Sequence, residues 1–296
     1  MGQAWVDSSD AAKNIFDRAD AALGSTLGAP LSSLCFEGPA ETLNRTDVSQ
    51  PAIYTCSIAA WVGMKELAGD SVPVPIACAG LSLGEYTALH IAGVLPFEAG
   101  LELVTLRGRA MQDAAEATPG GMLALIGCDE PQANSVCDAA RQDGVLVCAN
   151  FNAPGQVVLS GDAQSIERAQ AAAKDAGLRA TPLPVAGAFH SPLMEPAAER
   201  LSEALAAAPI DASALQGCPV YSNVTAQPHE QDADSIRRRL AEQLTHPVRW
   251  AQGCQNMIEA GLSAGAAWHE MAPGKSLAGM MRRIDRGTAV AMHDSP

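Results

Sequence analysis

No stretch of the 296-residue chain approaches the roughly 18 uninterrupted apolar residues of a membrane-spanning helix. The opening Met1-Gly-Gln-Ala-Trp-Val-Asp7 has neither the basic start nor the apolar run of a secretory leader. A cytoplasmic location is expected, with no membrane partner. The eight cysteines (35, 56, 78, 128, 137, 148, 218 and 254) include no C-x-x-C pair, which speaks against a zinc site or a disulfide framework; several stand in apolar runs, as small buried hydrophobes do. No internal repeat or low-complexity tract occurs. Positive charge is scarce. The 19 Lys and Arg against 33 Asp and Glu leave a formal net charge of −14, so nucleic acid is not expected as a partner. Pro273-Gly-Lys-Ser276 lacks the first glycine of a phosphate-binding P-loop. What remains is an ordinary globular composition, 48% hydrophobic and 18% charged, long enough for one large domain or two modest ones.

The most informative stretch is Gly80-Leu81-Ser82-Leu83-Gly84, a G-x-S-x-G pattern. The apolar run 72–79 before it reads as a strand, and Leu83 to Val94 after it as a helix closed by Gly93. Strand, tight turn and helix together raise a serine clear of the backbone, with Gly80 and Gly84 giving room on either side. The Leu83 N–H then points at any oxyanion formed on a carbon that Ser82 attacks, helped by the helix dipole. The bland alternative is a plain Gly/Ser turn.

In chain order, helices are expected over 8–22, 37–44, 49–67 (with Pro51 early) and 96–116. Then the texture changes: strand 122–127, helix 130–142, strands 145–150 and 156–160, helix 163–176, strand 180–185. This is the βαββαβ order of a ferredoxin-like unit, read as a small domain (119–188) inserted into a larger α/β domain (1–118 and 189–296). Helices follow at 196–208, 235–244, 250–260 and 277–284, with strands at 218–224 and 266–271.

A serine nucleophile needs a base within hydrogen-bond reach. Of the six histidines, His90 lies two turns along the elbow helix and cannot reach back, while His246 and His293 look like surface residues. His190, in the loop Gly187-Ala-Phe-His-Ser-Pro192, is either a displayed base or a loop histidine bonded to backbone. No Asp or Glu stands out as a third triad member. Arg107 sits within the apolar run 101–111; it is either a snorkelling arginine or a guanidinium fork for a carboxylate or phosphate. Asn150, Asn152 and Gln156 read as turn chemistry between two strands. The cluster Lys275, Arg282, Arg283 and Arg286 reads as a solvated helix face.

Five motifs in order, Gly80-Leu-Ser-Leu-Gly-Glu-Tyr86, Leu106-Arg-Gly-Arg-Ala-Met-Gln112, Asn150-Phe-Asn-Ala-Pro-Gly-Gln156, Phe189-His-Ser-Pro-Leu-Met194 and Gln243-Leu-Thr-His-Pro-Val-Arg-Trp250, make the chain resemble malonyl-CoA:acyl carrier protein transacylases from about residue 10 to about residue 284. The resemblance implies an α/β-hydrolase-like large domain with a ferredoxin-like insert. It also implies transfer of a malonyl group from malonyl-CoA to the phosphopantetheine thiol of acyl carrier protein for fatty-acid synthesis, through a malonyl-serine. Ser82 would be the nucleophile, His190 the base, the Gln243 main-chain carbonyl its orienting group, the Leu83 N–H an oxyanion donor and Arg107 the clamp on the malonyl carboxylate. Asn150, Asn152 and Phe189 join as substrate-binding candidates, Phe189 filling the room an α-methyl would need. No metal or cofactor is implied, and a monomer is expected. Leu81 replaces the histidine many members carry, with little expected effect. Members usually begin with an apolar strand running into Gly-Gln-Gly-x-Gln, so the natural protein is expected to start upstream of Met1; loss of that second oxyanion donor would slow the reaction about 10²- to 10³-fold. The alternatives are a polyketide-type acyltransferase, a serine hydrolase, or an inactive, N-terminally truncated remnant that binds carrier protein.

Overall fold

The computed structural model describes residues 1–72 and 74–296. Helices α1 (Gln3–Ser8), α2 (Asp10–Leu23), α3 (Leu31–Glu37), α4 (Ala40–Leu43) and α5 (Thr46–Ala68) lead to strand β1 (Cys78–Ala79), and α6 (Gly84–Ile91) and α7 (Phe97–Ala117) follow it. The helix expected over 8–22 is α2; the short α1 before it was not expected, and Ser9 between them is extended (φ −146°), its hydroxyl capping α2 by accepting from the Ala12 N–H at 3.0 Å. The piece expected over 37–44 is the shorter α4; α3, which was not expected, ends before it at Gly38, whose φ is 81°.

Helix α5 is apolar around most of its girth and packs between α2 and α7. It starts earlier than expected, so Pro51 lies inside it rather than in its first turn. Two glycines let α7 approach closely: a Cβ at Gly100 would collide with the Tyr54 hydroxyl, and one at Gly108 would lie 2.7 Å from the Thr46 carbonyl oxygen. That approach sets Arg107 of α7 beside Gln50 of α5.

The next elements are β2 (Gly120–Ile126), α8 (Glu130–Arg141), β3 (Leu146–Ala153), β4 (Gln156–Asp162), α9 (Ala163–Asp175) and β5 (Arg179–Pro182). Their strands form one antiparallel sheet in the order β3-β4-β2-β5. Helices α8 and α9 cover it, with Leu123, Leu125, Val157 and Leu159 of the sheet buried against Val136 and Ala169. Asp129 and Gln132 close a reciprocal capping box on α8, and Asp162 caps α9.

The chain then runs through α10 (Glu195–Ala207), β6 (Val220–Tyr221), α11 (Ala233–Glu242), α12 (Trp250–Glu259), β7 (Trp268–Met271), α13 (Ser276–Ile284) and β8 (Val290–His293). β1 pairs in parallel with β6, and β7 in parallel with β8. No pairing joins these two ribbons among the described residues. Instead a groove of about 650 Å³ lies between them, lined by β1, by β7 and by Trp61, Met64, Trp250 and Met257. The strand expected over 72–79 is therefore only two residues long. Its Pro73 lies outside the described residues; Pro75 has no N–H to donate, and Val74 and Ile76 are exposed at the rim. His293, expected in a surface tail, belongs to β8, where its Nε2 lies 2.8 Å from His269 Nδ1.

Candidate active site

The turn between β1 and α6 holds Ser82 at φ 51°, a left-handed conformation that strains a non-glycine residue by about 1–3 kcal/mol. The strain is held by hydrogen bonds from a distant segment. Asn223, just beyond β6, accepts the Ser82 N–H through Oδ1 at 2.5 Å and donates through Nδ2 to the Gly80 carbonyl at 2.7 Å. One side chain thus grips both ends of the turn. Gly80 is obligatory, since a Cβ there would fall inside the Gly84 carbonyl group. Gly84 differs from expectation: a Cβ on it meets nothing within 4 Å, so the room at this end is needed by the backbone of residue 84 itself. Leu83 occupies the N-cap position of α6, which leaves its N–H at the helix start beside Ser82.

His190 reaches Ser82 from a loop that is buried rather than displayed. Its φ is 57°, and the neighbouring Ser191 hydroxyl fixes the loop by donating to the Ala188 carbonyl at 2.6 Å. The imidazole Nδ1 lies 2.7 Å from the Gln243 main-chain oxygen, and Nε2 lies 2.9 Å from Ser82 Oγ. A carbonyl can only accept, so Nδ1 carries the proton and Nε2 is bare toward the hydroxyl. Burial, and secondarily the Arg107 charge, push the histidine down to about 4, against the opposing pull of the Gln243 carbonyl. At neutral pH it is an unprotonated base.

Arg107 is 1% exposed, which removes the snorkelling alternative. Its Nη1 donates to Gln50 Oε1 at 2.5 Å; its Nη2 donates to Gln243 Oε1 at 2.9 Å and to Ser82 Oγ at 3.0 Å. Nε is buried with no hydrogen-bond partner among the described residues. No carboxylate forms an ion pair with it among the described residues. Burial lowers its affinity for its proton, the Tyr86 ring and Glu85 opposing. The arrangement is an activated serine, a neutral base and a dry cation whose charge is solvated by amide oxygens but not neutralised.

The acyl transferase domain family matches residues 1–273. The chain belongs to that family. Malonyl CoA-acyl carrier protein transacylase of Bacillus subtilis is 42% identical over 288 residues, covering 97% of this chain and 86% of that protein. Among solved structures, the malonyl CoA-acyl carrier protein transacylase of Coxiella burnetii superposes with a TM-score of 0.91 at 35% identity, covering 100% of this chain and 89% of that one. A malonyl-transacylase solved in complex with its type II PKS acyl-carrier protein gives a TM-score of 0.89 at 35% identity, covering 100% and 92%.

In this acyl transferase domain Ser82, Leu83, Arg107, His190 and Gln243 come together, from four separate stretches of sequence. Phe189 sits one residue before the base and packs toward Met122, Ala124, Ala149 and Val158. Asn150 and Asn152 are not turn residues. They lie buried within β3, at register shifts against β4, while Pro154-Gly155 makes the turn. Asn152 Oδ1 has no partner, and no hydrogen bond joins either side chain to Ser82, His190 or Arg107 among the described residues. Sequence reasoning missed Gln50, Glu85, Asn223 and His229. Glu85 looks like any acidic residue in a first helical turn and Asn223 like a turn asparagine; only their burial in the fold marks them.

Proposed function

We propose that the chain transfers a malonyl group from malonyl-CoA to the phosphopantetheine thiol of an acyl carrier protein, through a malonyl ester on Ser82. The observation that carries this reading is the unneutralised Arg107 guanidinium 3.0 Å from the nucleophile. A cation so placed suits an acyl group with a second carboxylate a few bonds from its carbonyl, and without such a partner the buried charge stays unpaired. Ser82 Oγ attacks the thioester carbonyl as its proton passes to His190 Nε2. The oxyanion develops toward the Leu83 N–H at the start of α6. Collapse breaks the carbon–sulfur bond, and CoA leaves with the proton from His190. The carrier thiol then gives its proton to His190, attacks the ester carbonyl and returns Ser82 to its hydroxyl form. The exchange changes no oxidation state, and the residues named supply nucleophile, base and charge; we assign no cofactor.

Phe189, beside the base, fits a preference for malonyl over α-methylated acyl groups. Asn150 and Asn152 remain substrate-side candidates through their motif alone. The division into a large unit (1–118 and 189–296) of α/β-hydrolase type and a ferredoxin-like unit (119–188) is supported by the separate apolar cluster of the antiparallel sheet. No described helix is long and apolar enough to cross a membrane, and we assign the protein to the cytoplasm, acting as a monomer. A carrier protein of polyketide rather than fatty-acid assembly is the second reading, favoured by the similarity to the transacylase solved with a type II PKS carrier.

Intact-protein mass after brief mixing with malonyl-CoA tests the proposal. A malonyl-sized adduct that disappears in Ser82→Ala and passes to a carrier thiol is expected. A folded protein that takes no adduct, or one that takes it equally without Ser82, overturns the reading.

A further inference from the structure

Glu85 is fully buried in the first turn of α6, three residues beyond the nucleophile. Its Oε1 accepts from His229 Nε2 at 2.7 Å. Its Oε2 accepts from Gln243 Nε2 at 2.6 Å and from the Asn223 main-chain N–H at 3.1 Å. Both latter partners belong to the machinery around Ser82. Asn223 grips the serine turn, and Gln243 serves His190 through its backbone and Arg107 through its side chain.

The amide of Gln243 could face either way about its last torsion, and the two orientations are not equivalent. Glu85 Oε2 already accepts the Asn223 main-chain N–H and so presents an acceptor, which requires the NH₂ end of Gln243 toward it; that end also donates to the Ser82 carbonyl at 3.0 Å. The oxygen end is left to face Arg107 Nη2. Were the amide reversed, its NH₂ would meet the guanidinium donor-to-donor, and its oxygen would meet the Glu85 carboxylate acceptor-to-acceptor. A carboxylate in direct contact with Arg107 would hold the fork equally well but would consume its charge. Placing a neutral amide between the two groups keeps the fork oriented and the charge available.

The geometry points to Glu85 as a positioning residue for acyl-group selectivity: through the Gln243 amide it holds Arg107 at Ser82 hydrogen-bonded yet unneutralised, ready for an anionic acyl group. This inference rests on the malonyl-transfer reading above. Its test is single-turnover acylation of Ser82, followed by intact mass, with malonyl-CoA and with acetyl-CoA. Glu85→Gln permits the amide to reverse, so the malonyl rate falls about 10- to 100-fold, as for loss of a charge-assisted hydrogen bond, while the acetyl rate falls far less. The malonyl-to-acetyl ratio therefore drops toward that of Arg107→Leu. The charge-conserving swap Glu85→Gln with Gln243→Glu restores a donor–acceptor pair between the two positions but sets a carboxylate on Arg107. Its malonyl acylation is expected to fall much further than its acetyl acylation, so that the malonyl preference is lost, and this ratio, read on protein whose fold circular dichroism verifies, decides the matter where Glu85→Gln fails to fold. An equal fall in both rates in Glu85→Gln, or a swap variant that keeps the wild-type ratio, overturns the inference while leaving malonyl transfer intact. A wild-type protein with no malonyl preference overturns both.

Discussion

At the scale of single residues, the site depends on a histidine that stays neutral and an arginine that stays charged, a few ångströms apart. Because His190 is held down to about 4, acetyl transfer to Ser82 is expected to be level from neutral pH down to about pH 5 and to fall near pH 4, where an ordinary histidine would turn off near 6.5. Part of that depression is the Arg107 charge, which disfavours the imidazolium. Arg107→Leu is therefore expected to move the acid limb upward, though burial, the larger cause, keeps it below 6.5. Single-turnover rates with acetyl-CoA across pH 3.5–8 check this, and a limb that stays put or moves down in the variant contradicts it. Ser82 and Arg107 stood out in the sequence because each breaks its local texture, a serine between glycines and a charge in an apolar run, whereas His190, one of six histidines, was singled out as the base only by the family motif around it. Gln50, Glu85 and Asn223 break none, since an amide or carboxylate near a helix start is ordinary until the fold buries it.

At the scale of elements, the two glycines of the turn have unequal duties. Gly80→Ala would drive a methyl into the Gly84 carbonyl and is expected to destabilise the protein by more than about 3 kcal/mol, through overpacking against immovable backbone. Gly84 starts α6 with free space where its Cβ would be. Gly84→Ala is expected to be neutral or to stabilise by up to about 1 kcal/mol, the usual helical gain over glycine. Urea unfolding of the two variants distinguishes these outcomes, and equal losses would show that the turn constrains both positions alike. Helices with explicit caps were legible to within a residue or two, as at Asp129 for α8 and Asp162 for α9. Strands were less so. β1 and β6 are cut to two residues each: prolines (Pro75, Pro219) precede them and the chain beyond them turns away into the serine turn and its Asn223 grip, a diversion no hydropathy pattern encodes.

At the scale of the whole molecule, the groove between the β6-β1 and β7-β8 ribbons leaves strand edges facing apolar space, with Val74 (84% exposed) and Ile76 at its rim. Open apolar edges favour non-specific aggregation of an otherwise monomeric protein at high concentration, even at a net charge of −14. Ile76→Lys is accordingly expected to lower light scattering at matched concentration, and an unchanged or increased signal would show that this rim takes no part in association. The spread of the site along the chain has a further consequence in time. The carbonyl that orients the base lies 161 residues after the nucleophile. At ribosomal rates of about 5–20 residues per second, Ser82 emerges roughly 10–30 s before Gln243 exists. Throughout that interval its hydroxyl has neither an oriented base nor an aimed cation, so the growing polypeptide is chemically silent toward the thioesters around it.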